Sequence, residues 1–108
     1  MSIKLVKFSK KFITNEYLGW MNNKNLTKYS RHRLKKTTKR DALKYLKGMS
    51  NNLFYAITNN SNHIGNIAAY IDHTNRVADI SIILSEQRKG YGLTSWKEIS
   101  KKLKKKKN

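Results

Sequence analysis

Residues 77–84 alternate sharply between two classes of side chain, and this pattern constrains the fold more than any other. The even-numbered positions are apolar and share one face of an extended chain, whereas the odd-numbered positions, which include Asp79 and Ser81, share the other. Two more strand-like segments precede it, residues 53–58 and 64–71, and short polar loops join all three. Three strands joined by short loops predict an antiparallel meander.

Helices are predicted on both sides of this meander. Residues 14–22 have helical spacing with Thr14 or Asn15 as the N-cap, and residues 38–49 form an amphipathic helix capped by Thr38. A first strand is predicted at residues 3–8, and a last helix begins near Leu93. The order β-α-α-β-β-β-α predicts an α/β (α+β) domain with a mainly antiparallel sheet flanked by helices. Aromatic side chains are expected in its core, namely Tyr17, Trp20 and Trp96.

The composition limits the classes of function. The 108 residues are enough for one small domain, and the absence of Cys excludes disulfides and cysteine-based zinc sites. The three histidines show no ligand spacing, so no metal site is expected. No segment has the length of a membrane span or a signal peptide, which predicts a cytoplasmic protein.

The net charge of +18 first suggests nucleic acid or another anionic surface as a partner. Residues 1–50 carry 14 basic and 2 acidic side chains, residues 51–100 carry four of each, and residues 101–108 add six lysines. Lys outnumbers Arg by 19 to 5, and Lys, Asn and Ile together supply 41 positions. Because Arg is the residue suited to bidentate phosphate contacts, this bias favours a solvated basic surface over a dedicated nucleic-acid site.

The segment between the last strand and the last helix contains the candidate ligand-binding residues. It reads Gln87-Arg88-Lys89-Gly90-Tyr91-Gly92, and its two glycines permit a tight turn and close approach of a ligand to the backbone. A helix N-terminus behind such a turn binds phosphate or pyrophosphate. The third glycine of a dinucleotide-binding fingerprint is missing, and so is the Gly-Lys-Ser/Thr of a P-loop. A turn that needs glycine only for packing is the alternative reading.

In this context the segment resembles the acyl-CoA-binding motif of the GNAT-type N-acetyltransferase superfamily. The likeness extends upstream through residues 17–23, 27–33, 63–67 and 78–82, which look like the branch that includes ribosomal-protein N-terminal acetyltransferases. It spans about residues 3–98. Members of the family continue with further strands, so we expect a partial acyltransferase domain at 1–100, without the usual C-terminal strands, and a lysine-rich tail at 101–108. Truncation is expected to impair its activity.

The resemblance implies where acetyl-CoA binds. Its pantetheine is expected beside the backbone of Ile82, Ile83 and Leu84. Its pyrophosphate is expected at the segment that the motif defines, comprising Gln87, Arg88, Lys89, Gly90, Tyr91, Gly92 and Leu93. The acceptor amine then attacks the acetyl group directly, and the enzyme orients the reactants and removes a proton.

The remaining candidates each have an ordinary alternative. Asp79 matches the acidic position of the fourth strand in the family and is the candidate base, or it is a strand carboxylate paired with a neighbouring cation. Arg31, His32 and Arg33 are candidate substrate contacts, or they are a basic surface loop. His63 is expected as a polar residue at a strand edge.

The resemblance therefore implies acetyl transfer from acetyl-CoA to a primary amine on a protein N-terminus, an amino sugar or a small metabolite. The alternative is a non-catalytic basic protein that binds nucleic acid or another anionic surface. A third possibility is that a second copy or a partner chain completes the open strand edge.

Overall fold

The computed structural model describes residues 3–23, 26, 37–85 and 90–107, with side chains described as far as Lys104 in the last helix. Its elements follow the predicted order. They are β1 Ile3–Lys7, a 3-10 turn Lys10–Phe12, α1 Asn15–Met21, α2 Lys39–Gly48, β2 Leu53–Asn59, β3 Asn62–Asp72, β4 Val77–Leu84 and α3 Tyr91–Lys107. The α+β prediction is confirmed for these residues, and α3 continues past residue 100 without a break.

The four strands form one antiparallel sheet in the order β1-β2-β3-β4, so β1 and β4 are its edges among the described residues. Asn60 and Ser61 join β2 to β3 with φ values of 52° and 71°. Positive φ at both central residues is the geometry of the tight hairpin turn that suits twisted strands. At the other end, Asp72 accepts the backbone N–H groups of Thr74 and Asn75 and so shapes the β3–β4 turn.

The sheet is covered on both faces. One face packs against α1 and α2 through a core that includes Phe8, Tyr17, Phe54 and Ile83. The other packs against α3 through residues that include Ile67 and Ile99. The alternation predicted for β4 is confirmed, because Ile83 joins the first core and Leu84 joins the second.

Thr14 and Thr38 are the N-caps of the first two helices, and Asn15, the alternative cap predicted for α1, is its first residue. Thr14 accepts the N–H of Tyr17, and Thr38 accepts the N–H of Asp41. The Asp41 carboxylate accepts the N–H of Thr38 in return, which completes a capping box. These caps fix where α1 and α2 begin.

The prediction that Trp96 lies in the core is wrong. Tyr17 is buried and Trp20 packs against the first core, but Trp96 is 49% exposed. The face of α3 that meets the sheet is defined instead by Tyr91, Ser95 and Ile99, which recur every four residues. Ser95 is small, and its hydroxyl donates to the carbonyl of Tyr91, so it is buried with its polar group satisfied.

None of the helices in the described part of the chain is long and apolar enough to cross a membrane.

Candidate functional site

The end of β4 and the start of α3 lie together at one end of the sheet. The backbone N–H of Ser85 donates to the carbonyl of Ile64 at 2.8 Å, so pairing with β3 continues one residue beyond β4. Gly90 has a φ of +93°, a conformation that favours glycine, and its carbonyl accepts the N–H of Thr94. Gly90 is therefore the residue from which α3 begins. The N–H groups that follow it have no partner within the helix.

The predicted cofactor residues are only partly described. Ile82, Ile83 and Leu84 lie on β4, and Gly90, Tyr91, Gly92 and Leu93 lie at the start of α3. Gln87, Arg88 and Lys89 fall outside the described residues, as do the candidate substrate residues Arg31, His32 and Arg33. Tyr91 is buried, and its hydroxyl accepts from Nδ2 of Asn59 at 2.9 Å, which ties the first turn of α3 to the end of β2.

The ladder between β3 and β4 determines which backbone groups of β4 face outward. The register runs without a shift from Gly65–Leu84 to Asp72–Val77. Because the bonded pair Ser85–Ile64 sets the alternation, the backbone of Ile83 faces β3, whereas those of Ala78, Ile80 and Ile82 face the open side. Among the predicted pantetheine contacts, the backbone N–H and C=O groups of Ile82 thus face the open edge, whereas those of Ile83 face β3.

Gly65 allows β3 and β4 to approach closely at this end of the sheet. A Cβ atom there would lie 2.2 Å from the carbonyl oxygen of Ile83 and 3.0 Å from Cα of Leu84. Both are backbone atoms, so any side chain at this position would force the strands apart. The position of the end of β4 therefore depends on a glycine in the neighbouring strand.

A small polar cavity lies between β3, β4 and the helices α1 and α2. Its lining combines four apolar side chains with Tyr17, Tyr45, Asn66, Tyr70 and Ser81. The space available to the centre of a water molecule is about 10 Å³, enough for one. Among the described residues, no charged side chain lines it. Its polar groups are therefore neutral hydrogen-bonding groups.

Asn66 is a buried polar residue in the lining of this cavity. It is 5% exposed, its Oδ1 lies 2.9 Å from Nε2 of His63, and its Nδ2 has no hydrogen-bond partner among the described residues. Turning the amide over exchanges the two atoms, so either orientation leaves one polar atom for the cavity to satisfy. A buried polar atom of this kind requires a hydrogen-bonding partner within the cavity.

Tyrosine hydroxyls surround Asn66. Tyr45 and Tyr70 share a hydrogen bond between their hydroxyl groups. Burial and the neighbouring Tyr70 raise the pKa of Tyr17 far above its usual range, so this phenol keeps its proton at every physiological pH. The sequence analysis missed this cluster. The sequence indicates this cluster only through Asn66, a polar residue within an otherwise apolar strand. The contact between α2 and β3 cannot be deduced from that residue.

The candidate base Asp79 lies near the cavity. It is exposed, pairs in register with Tyr70, and precedes Ser81 by two residues on the same face of β4. That separation corresponds to about 7 Å along the strand. The structure thus brings Asp79 and the polar cavity to the same face of the edge strand.

His63 differs from its predicted environment. It lies on β3, an inner strand, and the rings of Phe12 and Trp20 meet it edge-on at centroid distances of 5.0 and 4.9 Å. Burial lowers the pKa of His63 below its ordinary value, against the opposing effects of its hydrogen bonds to Asn66 and Gly65 and the charge of Glu16. The neutral ring therefore predominates at neutral pH.

We found no match for this chain among protein-family models, curated proteins or solved structures. The residues and the geometry described above therefore carry the functional argument.

The environment of His63 predicts an acid-sensitive fold. Because its pKa is lower in the folded state, the unfolded chain binds a proton more readily, and the free energy of unfolding falls as the pH drops below the ordinary value of 6.5. Urea unfolding at about pH 7.5 and about pH 5 measures this loss. His63→Gln, which cannot titrate, should reduce the difference between the two pH values. An equal loss in wild type and His63→Gln would contradict the prediction.

Proposed function

We propose that this chain is an acetyl-CoA-dependent N-acetyltransferase that acts on a primary amine. The observation that carries the proposal is the junction of β4 and α3, where Gly90 adopts a positive φ and the 17-residue α3 begins directly after it. The N–H groups of the first helical turn and the positive end of the helix dipole suit a pyrophosphate at this point. The junction coincides with the Gln-x-x-Gly-x-Gly segment that resembles the acyl-CoA motif.

The open space at two glycines supports a ligand at this point. A Cβ atom at Gly92 would meet only Cδ1 of Leu84, at 3.8 Å, and one at Gly90 would meet nothing within 4 Å. The backbone at both glycines is thus open to a ligand. Acetyl-CoA would supply an acetyl thioester. The first turn of α3 would hold its pyrophosphate, and the outward backbone of Ile82 would bind its pantetheine arm.

The proposed reaction is a direct transfer. The nitrogen of the neutral amine attacks the thioester carbonyl carbon, the carbon–sulfur bond breaks, and coenzyme A leaves as a thiolate that takes up a proton from water. Asp79 would take the proton that the amine loses, directly or through water. This role is supported by the position of Asp79 on the exposed part of β4, on the face that also carries the polar cavity.

The first test is calorimetric titration with acetyl-CoA at about 150 mM salt, where weak surface electrostatics are screened. Wild type should bind, and Gly92→Val should abolish binding because the added side chain occupies the space beside the helix N-terminus. Gly19→Val is the matched control, since Gly19 is also helical and has nothing within 4 Å of its Cβ position. Equal binding by wild type and Gly92→Val would contradict the proposal. Steeply salt-dependent binding of single-stranded RNA without acetyl-CoA binding would favour the basic binding protein.

The role of Asp79 predicts a selective loss of turnover. Asp79→Asn should lower the rate of acetyl transfer by about a hundredfold, the lower end of what a positioned general base contributes, and leave acetyl-CoA affinity unchanged. Glu98→Gln is the control, because Glu98 lies on α3 in an exposed pair with Lys101. Thiol release in the presence of an amine panel gives the rate. Unchanged turnover in Asp79→Asn would assign the proton transfer to another group.

A further inference from the structure

The side-chain amide of Asn66 has an unsatisfied donor inside the cavity between β3, β4 and the helices α1 and α2. Asn66 is 5% exposed and lines this cavity, and its Oδ1 lies 2.9 Å from Nε2 of His63. The other amide atom, Nδ2, is therefore directed away from His63, and it has no hydrogen-bond partner among the described residues. Because an amide nitrogen only donates, the group that satisfies it must be an acceptor.

The size and the charge of the cavity select the kind of acceptor. The space for the centre of a water molecule is about 10 Å³, so the cavity admits a group the size of one oxygen atom and not a whole small molecule. The described part of its lining carries no charged side chain. A carboxylate or phosphate oxygen would lose its hydration there without meeting an opposite charge. A neutral carbonyl oxygen at the end of a larger ligand meets both conditions.

The cavity lies within reach of the open edge of the sheet. Asn66 and Ile83 are buried in its lining, whereas Tyr45, Tyr70 and Ser81 are partly exposed and mark its mouth. Ser81 belongs to β4, the edge strand of the described sheet. Neighbouring strands lie about 4.8 Å apart, so Asn66 on β3 is one strand spacing from the backbone of β4. A ligand bound along the edge of β4 can therefore place a terminal group in the cavity.

We propose that Asn66 donates from Nδ2 to the carbonyl oxygen of the acetyl group of acetyl-CoA. This inference rests on the proposed acetyl transfer, and it adds a residue of β3 to a site otherwise built from β4 and α3. When the amine attacks, an electron pair of the carbonyl bond moves onto this oxygen, and it re-forms the carbonyl as the carbon–sulfur bond breaks. A fixed donor in a buried, uncharged cavity stabilises the negative charge that develops between these two events.

Two neighbours support this role of Asn66. The hydrogen bond to His63 fixes the amide with Oδ1 away from the cavity, and His63 is itself held by aromatic rings of the 3-10 turn and α1. Asp79 precedes Ser81 by two residues on the same face of β4, a separation of about 7 Å. An amine bound between the mouth of the cavity and Asp79 therefore reaches both the carbonyl carbon and the proposed base.

The test compares the affinity of the full chain for acetyl-CoA and for S-ethyl-coenzyme A, which has the same length and lacks the carbonyl oxygen. Calorimetry at about 150 mM salt should show that wild type binds acetyl-CoA about tenfold more tightly, the effect of one buried hydrogen bond. Asn66→Asp should remove this preference, because its carboxylate pairs with His63 and presents an acceptor oxygen to the cavity. The same variant should lower the rate of acetyl transfer by about a hundredfold.

Asn62→Asp is the matched control, since it makes the same chemical change at an exposed position of β3 and should keep the preference for acetyl-CoA. If Asn66→Asp fails to fold, the infrared carbonyl band of isotope-labelled acetyl-CoA decides in wild type, because a donated hydrogen bond lowers its frequency on binding. Equal affinity of wild type for the two compounds, or a preference that Asn66→Asp retains, would overturn this inference alone. Binding of neither compound would overturn the proposed function and this inference with it.

Discussion

Gly65→Ala should destabilise the fold by about 4 kcal/mol, an effect at the extreme of single substitutions. The new methyl group would lie 2.2 Å from the carbonyl oxygen of Ile83 and 3.0 Å from Cα of Leu84, and neither backbone atom can move without displacing β4. Relief requires separating the central strand β3 from β4, which breaks ladder bonds and opens the cores on both faces. The free energy of unfolding in urea, followed by tryptophan fluorescence, measures the effect.

Gly19→Ala makes the same chemical change in the opposite environment. Gly19 lies within α1, and a Cβ atom there would meet nothing within 4 Å. Alanine should therefore stabilise the chain by about 0.5–1 kcal/mol, because it restricts the unfolded state and favours the helix. If Gly65→Ala were as stable as wild type, the close approach of β3 and β4 would be wrong, and with it the position assigned to the end of β4.

The local elements could be predicted because their signals are local. The alternation of residues 77–84 defined β4 at both ends, and Thr38 as a cap marked the start of α2. β3 is longer than the predicted 64–71 because the two-residue turn at Asn60 and Ser61 lets pairing begin at Asn62. A turn that tight depends on positive φ at both residues, which the residue types permit and do not require.

The candidate site could not be predicted as a unit. Asp79 and the glycine motif follow from the sequence, but the cavity around Asn66 exists only because Tyr45 of α2 meets Tyr70 of β3. Such a contact is tertiary and has no periodic signature. The prediction of which side of α3 packs on the sheet was wrong for a related reason. Leu93 and Trp96 share one side of the helix, Tyr91 and Ile99 share another, and hydrophobicity alone does not select the face that packs.

β4 joins the fold to the proposed site through its alternation. Its side chains close both cores, and its outward backbone groups at Ala78, Ile80 and Ile82 form the edge. The proposed acetyl-CoA site uses the end of β4 next to Gly90 for the cofactor, and Asp79, nearer the other end, is the proposed base.

Ile99→Ala should lower the free energy of unfolding by about 3–4 kcal/mol, since its side chain is fully buried between α3 and the sheet and its loss leaves a cavity. The same variant should release the N-terminus of α3 and weaken acetyl-CoA binding, because docking of α3 on the sheet positions its first turn beside Leu84.

Trp96→Ala, also on α3 but half-exposed, should change stability by less than about 1 kcal/mol. Urea unfolding by circular dichroism at 222 nm compares all three chains. Equal stability of Ile99→Ala and Trp96→Ala would mean that α3 packs through a different face.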